Sequence, residues 1–179
     1  MKTIPIALAA GVFALACCGP VDARVTRIVI DEVLPLPAGT PAGAIAYEQV
    51  AGRAFGELDP KLPGNAIIQD IELAKDADGK VRYVTSFLIY KPVDMGRASG
   101  LMWHDVPNRG RVFAFAPQER AFGDVMLAGG WQGDNSGATV VRPTASVSGM
   151  QFLQVPVARG AGGAPITGEV FGRIANRSG

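Results

Sequence analysis

The segment LMWHDVPNRGR (101–111) holds residue types from which a hydrolytic site is built. An apolar run ends on His104-Asp105, and a Pro-Asn-Arg-Gly turn follows at once. On such a turn the backbone N–H groups of Asn108, Arg109 and Gly110 are candidate donors to a developing oxyanion. Pro107 has no N–H to offer, and Gly110 permits the backbone twist. Arg109 carries the charge to bind a carboxylate or phosphate; a solvated arginine at a loop tip is the plainer alternative. His104 and Asp105 suggest a base and its orienting acid. Adjacent residues of a strand point to opposite faces, however, so they do not form that pair. A histidine packed or hydrogen-bonded at a strand end is the simpler reading.

The rest of a serine-hydrolase set is missing. On an α/β sheet the nucleophile sits in Gly-x-Ser-x-Gly. Ser86, Ser99, Ser136, Ser146, Ser148 and Ser178 all lie outside that pattern, and no catalytic residue is assigned. A single histidine rules out a histidine-rich metal centre. KDADGK (75–80) begins like a calcium loop but lacks the later ligands and the closing glutamate. GGWQGDNSG (129–137) has no lysine placed as in a phosphate-binding loop, and GAGGA (160–164) does not match the dinucleotide fingerprint. No metal and no cofactor is expected. Trp103, His104 and Trp131 are the pocket-lining candidates. Trp131 either lines a pocket at a strand's carboxyl end or covers the core as an amphipathic lid.

The elements that would position these residues are short and strand-rich. Gly 23 and Pro 13 in a chain of 179 residues suit turns better than long helices. RVTRIVIDEVLPLP (24–37) opens with a β-branched run and reads as a strand that stops at its prolines. YEQVAGRAFGELDP (47–60) reads as a second, and AIIQDIELA (66–74) alternates like a half-exposed third. Asp78-Gly79 then reads as a hairpin turn. VRYVTSFLIYKPV (81–93) is apolar on both faces and belongs inside a sheet. LMWHDV (101–106) is a short buried-strand candidate. PQERAF (117–122) is a short helix with proline first and Gly123 as its stop. DVMLA (124–128) is the next strand, and strand, loop with helix, strand is the βαβ pattern of a parallel sheet. MQFLQVPVAR (150–159) and PITGEVFGRI (165–174) read as a closing hairpin. The fold class expected from this order is α/β and strand-rich: a mixed sheet with antiparallel N-terminal strands and few short helices.

Lys2 followed by the apolar run Ile4–Cys18 and the break CGPVDAR has the pattern of an export signal cleaved after Ala23. The alternative is a lipoprotein signal with Cys17 as the lipid attachment point. Residues 1–23 are thus set apart from one domain, 24–179. Both cysteines, Cys17 and Cys18, lie in the signal, so the remainder has no disulfide and no thiol chemistry. The expected localisation is periplasmic or secreted, with no transmembrane segment left after cleavage. The 17 basic and 16 acidic residues nearly cancel without forming blocks, which excludes nucleic acid as an expected partner.

Taken in order, VTRIVIDEVLPLP, YEQVAGRAFGELDP, NAIIQDIELAKDADG, FLIYKPVD, LMWHDVPNRG and GDVMLAGGWQGD resemble the N-terminal part of a family of large, mostly bacterial α/β-hydrolase-domain proteins. The resemblance covers most of 25–134, and the region to Ile174 looks similar. It implies an α/β-hydrolase-like mixed sheet, an ester-like small-molecule substrate, and PNRG as the oxyanion loop. In that family the nucleophile, acid and histidine lie beyond the matched part, so the resemblance implies a front portion that is inactive alone until completed by a C-terminal portion. The other reading from the residues is a non-enzymatic, β-rich binding module of the cell envelope or periplasm.

Overall fold

The computed structural model describes residues 23–37, 44–115, 117–134, 150–169 and 171–172; residues 1–22 of the expected export signal, with Cys17 and Cys18, lie outside them. A six-stranded sheet organises the chain. Strand β1 (Ala23–Pro35) pairs antiparallel with β2 (Tyr47–Leu58), which pairs antiparallel with β3 (Val81–Pro92). The far side of β3 takes β5 (Val125–Gly129) along Phe87–Tyr90 and the two-residue β6 (Leu153–Gln154) along Val84–Thr85, both antiparallel. Strand β4 (Met102–Asp105) adds to the outer side of β5 in parallel. Helix α1 (Pro117–Phe122) lies in the crossover between β4 and β5.

The β-branched run of β1 and the two-faced apolar pattern of β3 appear as strands where the residue pattern places them, and β3 is interior to the sheet. In β2, glycines face aromatic partners across the ladder: Gly52 is opposite Phe87 and Gly56 opposite Tyr83. A Cβ at Gly52 would run into the Val29 carbonyl and the Phe87 ring, and one at Gly56 into the Tyr83 ring. The rings therefore fill the space that the glycines leave. The core is Ala51, Leu88, Met126 and Ala128, extended by Tyr90, Val112 and Phe115. Two bulges twist β1 against β2, at Val25/Arg27 and Ile30/Glu32.

Several expectations are corrected. The fold class is not α/β and not hydrolase-like: the sheet is mostly antiparallel, and the only α-helix among the described residues has six residues. An α/β fold needs helical layers over a mostly parallel sheet. Here only four residue pairs, from Met102↔Val125 to Asp105↔Ala128, run parallel. Residues 66–74 are not a strand. They form successive tight turns, Asn65 N–H to Leu62 C=O, Ile68 N–H to Asn65 C=O and Ile71 N–H to Ile68 C=O, and end in a 3-10 turn at Ile71–Leu73. The strands that flank this segment in the chain, β2 and β3, pair directly with each other, so it has no place between them. Of its apolar face only Ile71 is buried, while Ile67 stands 87% exposed. The Asp78-Gly79 turn exists, with Gly79 at φ 82°, but only one strand adjoins it. Arg82 ion-pairs with both Asp76 and Asp78, the carboxylates of the calcium-like start. Strand β4 is an exposed edge rather than a buried strand. Among the described residues the closing hairpin reduces to β6 and one bridge, Arg159↔Pro165; Pro156 and Pro165 have no N–H for a ladder. No helix of the described residues is long and apolar enough to cross a membrane.

Candidate functional site

The crossover from β4 to β5 builds the site. Pro117 opens α1 and Gly123, at φ 87°, closes it. Gly123 N–H bonds to the Arg120 carbonyl at 3.3 Å and Asp124 N–H to the Glu119 carbonyl at 3.2 Å. These are the paired bonds of a Schellman stop, and they fix Glu119 and Asp124 relative to each other. Asp124 is 4% exposed and sits where chains converge. Its carboxylate accepts from Ser99 Oγ at 2.6 Å and from Trp103 Nε1 at 2.8 Å. Its carbonyl accepts from the Tyr47 hydroxyl at 2.7 Å. The Ser99 hydrogen bond first, and the Trp103 one second, hold the Asp124 carboxyl below the ordinary aspartate range. Burial, and then the Asp124 charge, push the Tyr47 hydroxyl up.

Above this network lies a cleft of about 240 Å³ at the β4 edge. Phe115 and Met126 are among its lining residues. Phe115 is braced by Tyr47 and Tyr90, each with ring centroids 5.9 Å away. Trp103 and Phe113, 54% and 71% exposed, also line it, together with His104, Asp105 and Glu119. Asp105 Oδ2 accepts the Phe113 N–H at 2.9 Å, which ties the outgoing loop back to β4. Glu119 Oε2 is shut off from solvent with no hydrogen-bond partner among the described residues.

The PNRG turn stands beyond the carboxyl end of β4 as a 3-10 turn, Asn108–Gly110. Arg109 at φ 55° and Gly110 at φ 82° are both left-handed. The loop after β5 clasps it. Trp131 Nε1 donates to the Pro107 carbonyl at 2.9 Å, Gln132 Oε1 accepts the Arg109 N–H, and Arg109 pairs with Asp134 at 2.7 Å. Gly110 N–H bonds within the turn to the Pro107 carbonyl at 3.3 Å. Of the three oxyanion candidates, only Asn108 keeps an N–H with no partner among the described residues. Two convergent donors are the usual requirement for such a hole.

Of the sequence candidates, the structure brings Trp103 and His104 together in the cleft and puts Trp131 on the clasp. No hydrogen bond joins His104 to Asp105 among the described residues. Sequence reasoning missed Asp124, Phe113, Phe115 and Glu119. The alternation Phe113-Ala114-Phe115 was a usable signal; the role of Asp124 had none, since its partners lie 25 and 21 positions away. Among the described residues no three His, Cys, Asp or Glu side chains gather as metal ligands. No family model, curated protein or solved structure matches the chain.

Proposed function

We propose that the protein is an exported, β-rich binding module, without catalytic activity of its own, that holds a small, partly apolar ligand in the cleft beside β4. The observation that carries this reading is the pairing of exposed Trp103 and Phe113 with a rigid base of Phe115 and Met126. Concave sites lined by aromatics with few polar groups are the common form of small-ligand pockets. The export pattern of the N-terminal sequence supports a role outside the cytoplasm. The test is a two-part measurement on the purified chain. Benzyl alcohol should shift the Trp103 indole and Phe113 amide resonances saturably. Turnover of p-nitrophenyl butyrate should equal that of buffer. Absence of saturable shifts, or ester cleavage by the chain alone, would overturn the reading.

One observation favours a second reading. A loop with an unengaged Asn108 N–H directly follows β4, the strand that runs parallel to β5. This reading rests on the sequence resemblance to the N-terminal part of the α/β-hydrolase-domain family, since the sheet as a whole is not hydrolase-like. In this reading the chain supplies a substrate wall and one amide donor to an ester-cleaving site. The nucleophile, acid and histidine then come from another polypeptide portion. Ester cleavage that appears only when such a portion is supplied, and that falls when Asn108 is replaced by proline, would select it over the first.

A further inference from the structure

The charge around the cleft is one-sided. Asp105 and Glu119 both line it, and among the described residues neither forms an ion pair. Glu119 Oε2 is buried and, among the described residues, unbonded. A carboxylate oxygen withdrawn from water without a donor is costly, and the cost is relieved by a cation beside it. Trp103, Phe113 and Phe115 supply aromatic rings, whose π systems attract such a cation. No described arginine or lysine occupies those rings: the two cation–ring contacts of the sheet, Arg27 and Arg53, are both on Phe55.

Arg120, next to Glu119, acts electrostatically on Tyr47 and Tyr90 and is absent from the cleft lining. Among the described residues the cleft lining thus combines aromatic surface, two carboxylates without ion pairs and no lysine or arginine. From this juxtaposition we infer that the ligand is a small organic cation, an alkylammonium or quaternary ammonium group. The inference rests on the binding-module reading and adds the ligand's charge to it.

The test compares choline with 3,3-dimethyl-1-butanol, its neutral isostere, by chemical-shift titration of the Trp103 indole and the Phe113 amide in the full chain. A Trp131→Phe variant assigns the two indole signals. Choline should saturate the shifts with an affinity at least about tenfold above that of the isostere. Its affinity should fall as salt is raised, because the site is partly open to solvent. Glu119→Gln should weaken choline by about fivefold and leave the isostere unchanged. Phe113→Ala removes an exposed side chain and should weaken both probes. Equal affinity for choline and the isostere would overturn the inference while leaving the binding reading intact. Failure of both probes and of benzyl alcohol would remove both.

Discussion

The two ends of the sheet are built differently. At one end β1, β2 and β3 form a meander whose strands have twelve or thirteen residues, paired along nearly their whole length. At the other end β4 and β5 have four and five residues, and only four pairs join them. The meander is held by backbone ladders and by rings laid over glycines. The short parallel pair is held by side chains that reach across the crossover, with Asp124 at their centre. Regular pairing makes a scaffold; a few convergent polar contacts then place Trp103 and the cleft on its edge. The edges also differ in protection. β1 is bulged and carries ion pairs of Arg24 with Glu57 and of Asp31 with Arg53, features that blunt an edge. β4 presents Met102 and Trp103 to solvent with neither device.

The largest effect should come from breaking the meander. Gly52→Val forces a side chain into the Val29 carbonyl and the Phe87 ring. It should cost about 3 kcal/mol, read as an early midpoint in urea unfolding. A midpoint within error of wild type would show that the ring packing is not what closes β2 on β3. Next comes the crossover. Asp124→Ala leaves Ser99 and the Trp103 indole without their acceptor, so it should lower thermal stability and shift Trp103 emission together. Asp124→Asn keeps an acceptor and should do less. An emission spectrum unchanged by Asp124→Ala would mean that the indole is placed by something else.

The same carboxylate makes the crossover acid-sensitive. Because its folded pKa is depressed, its stabilisation is present above the ordinary aspartate range and fades as pH falls through the folded value. Asp124→Asn should remove that part of the acid loss. Overlapping acid-unfolding curves for the variant and wild type would assign the loss to other groups.

A smaller effect, of opposite sign, is expected under the loop. Gln151 is 1% exposed, and neither of its side-chain polar atoms has a partner among the described residues. Gln151→Met should raise stability by about 1 kcal/mol, measured by urea unfolding. A loss would show that the amide is satisfied in solution. The smallest change should come from the Arg109–Asp134 pair, 59% and 70% exposed, where Asp134→Ala should leave the unfolding midpoint where it was.

Legibility followed the range of the interactions. The strands β1, β2, β3 and β5 were readable because alternation, β-branching and breakers act within a few residues. Pro117 and Gly123 marked α1 for the same reason. Residues 66–74 misled because their alternation is a property of side chains alone. A strand also needs a partner, and β2 and β3, which flank this segment in the chain, take each other. LMWHDV misled in burial, since an apolar run looks the same at a sheet's centre and at its rim. The fold class failed for a related reason. The strand–helix–strand unit was read as the pattern of a parallel sheet, but one such unit fixes only one parallel pair and says nothing about how the other strands run.

By itself the sequence determined where most of the backbone extends and turns, that no serine stands in a Gly-x-Ser-x-Gly motif, and that one loop with presentable amides follows the histidine strand. These depend on residue type and near neighbours. Only the tertiary structure decided that β4 is an edge, that the loop's amides are largely taken up by Gln132 and by the turn itself, and that Trp103, Phe113 and Glu119 share a cleft. Those outcomes depend on which strand sides remain unpaired and on contacts between residues distant in the chain, and no local pattern encodes either.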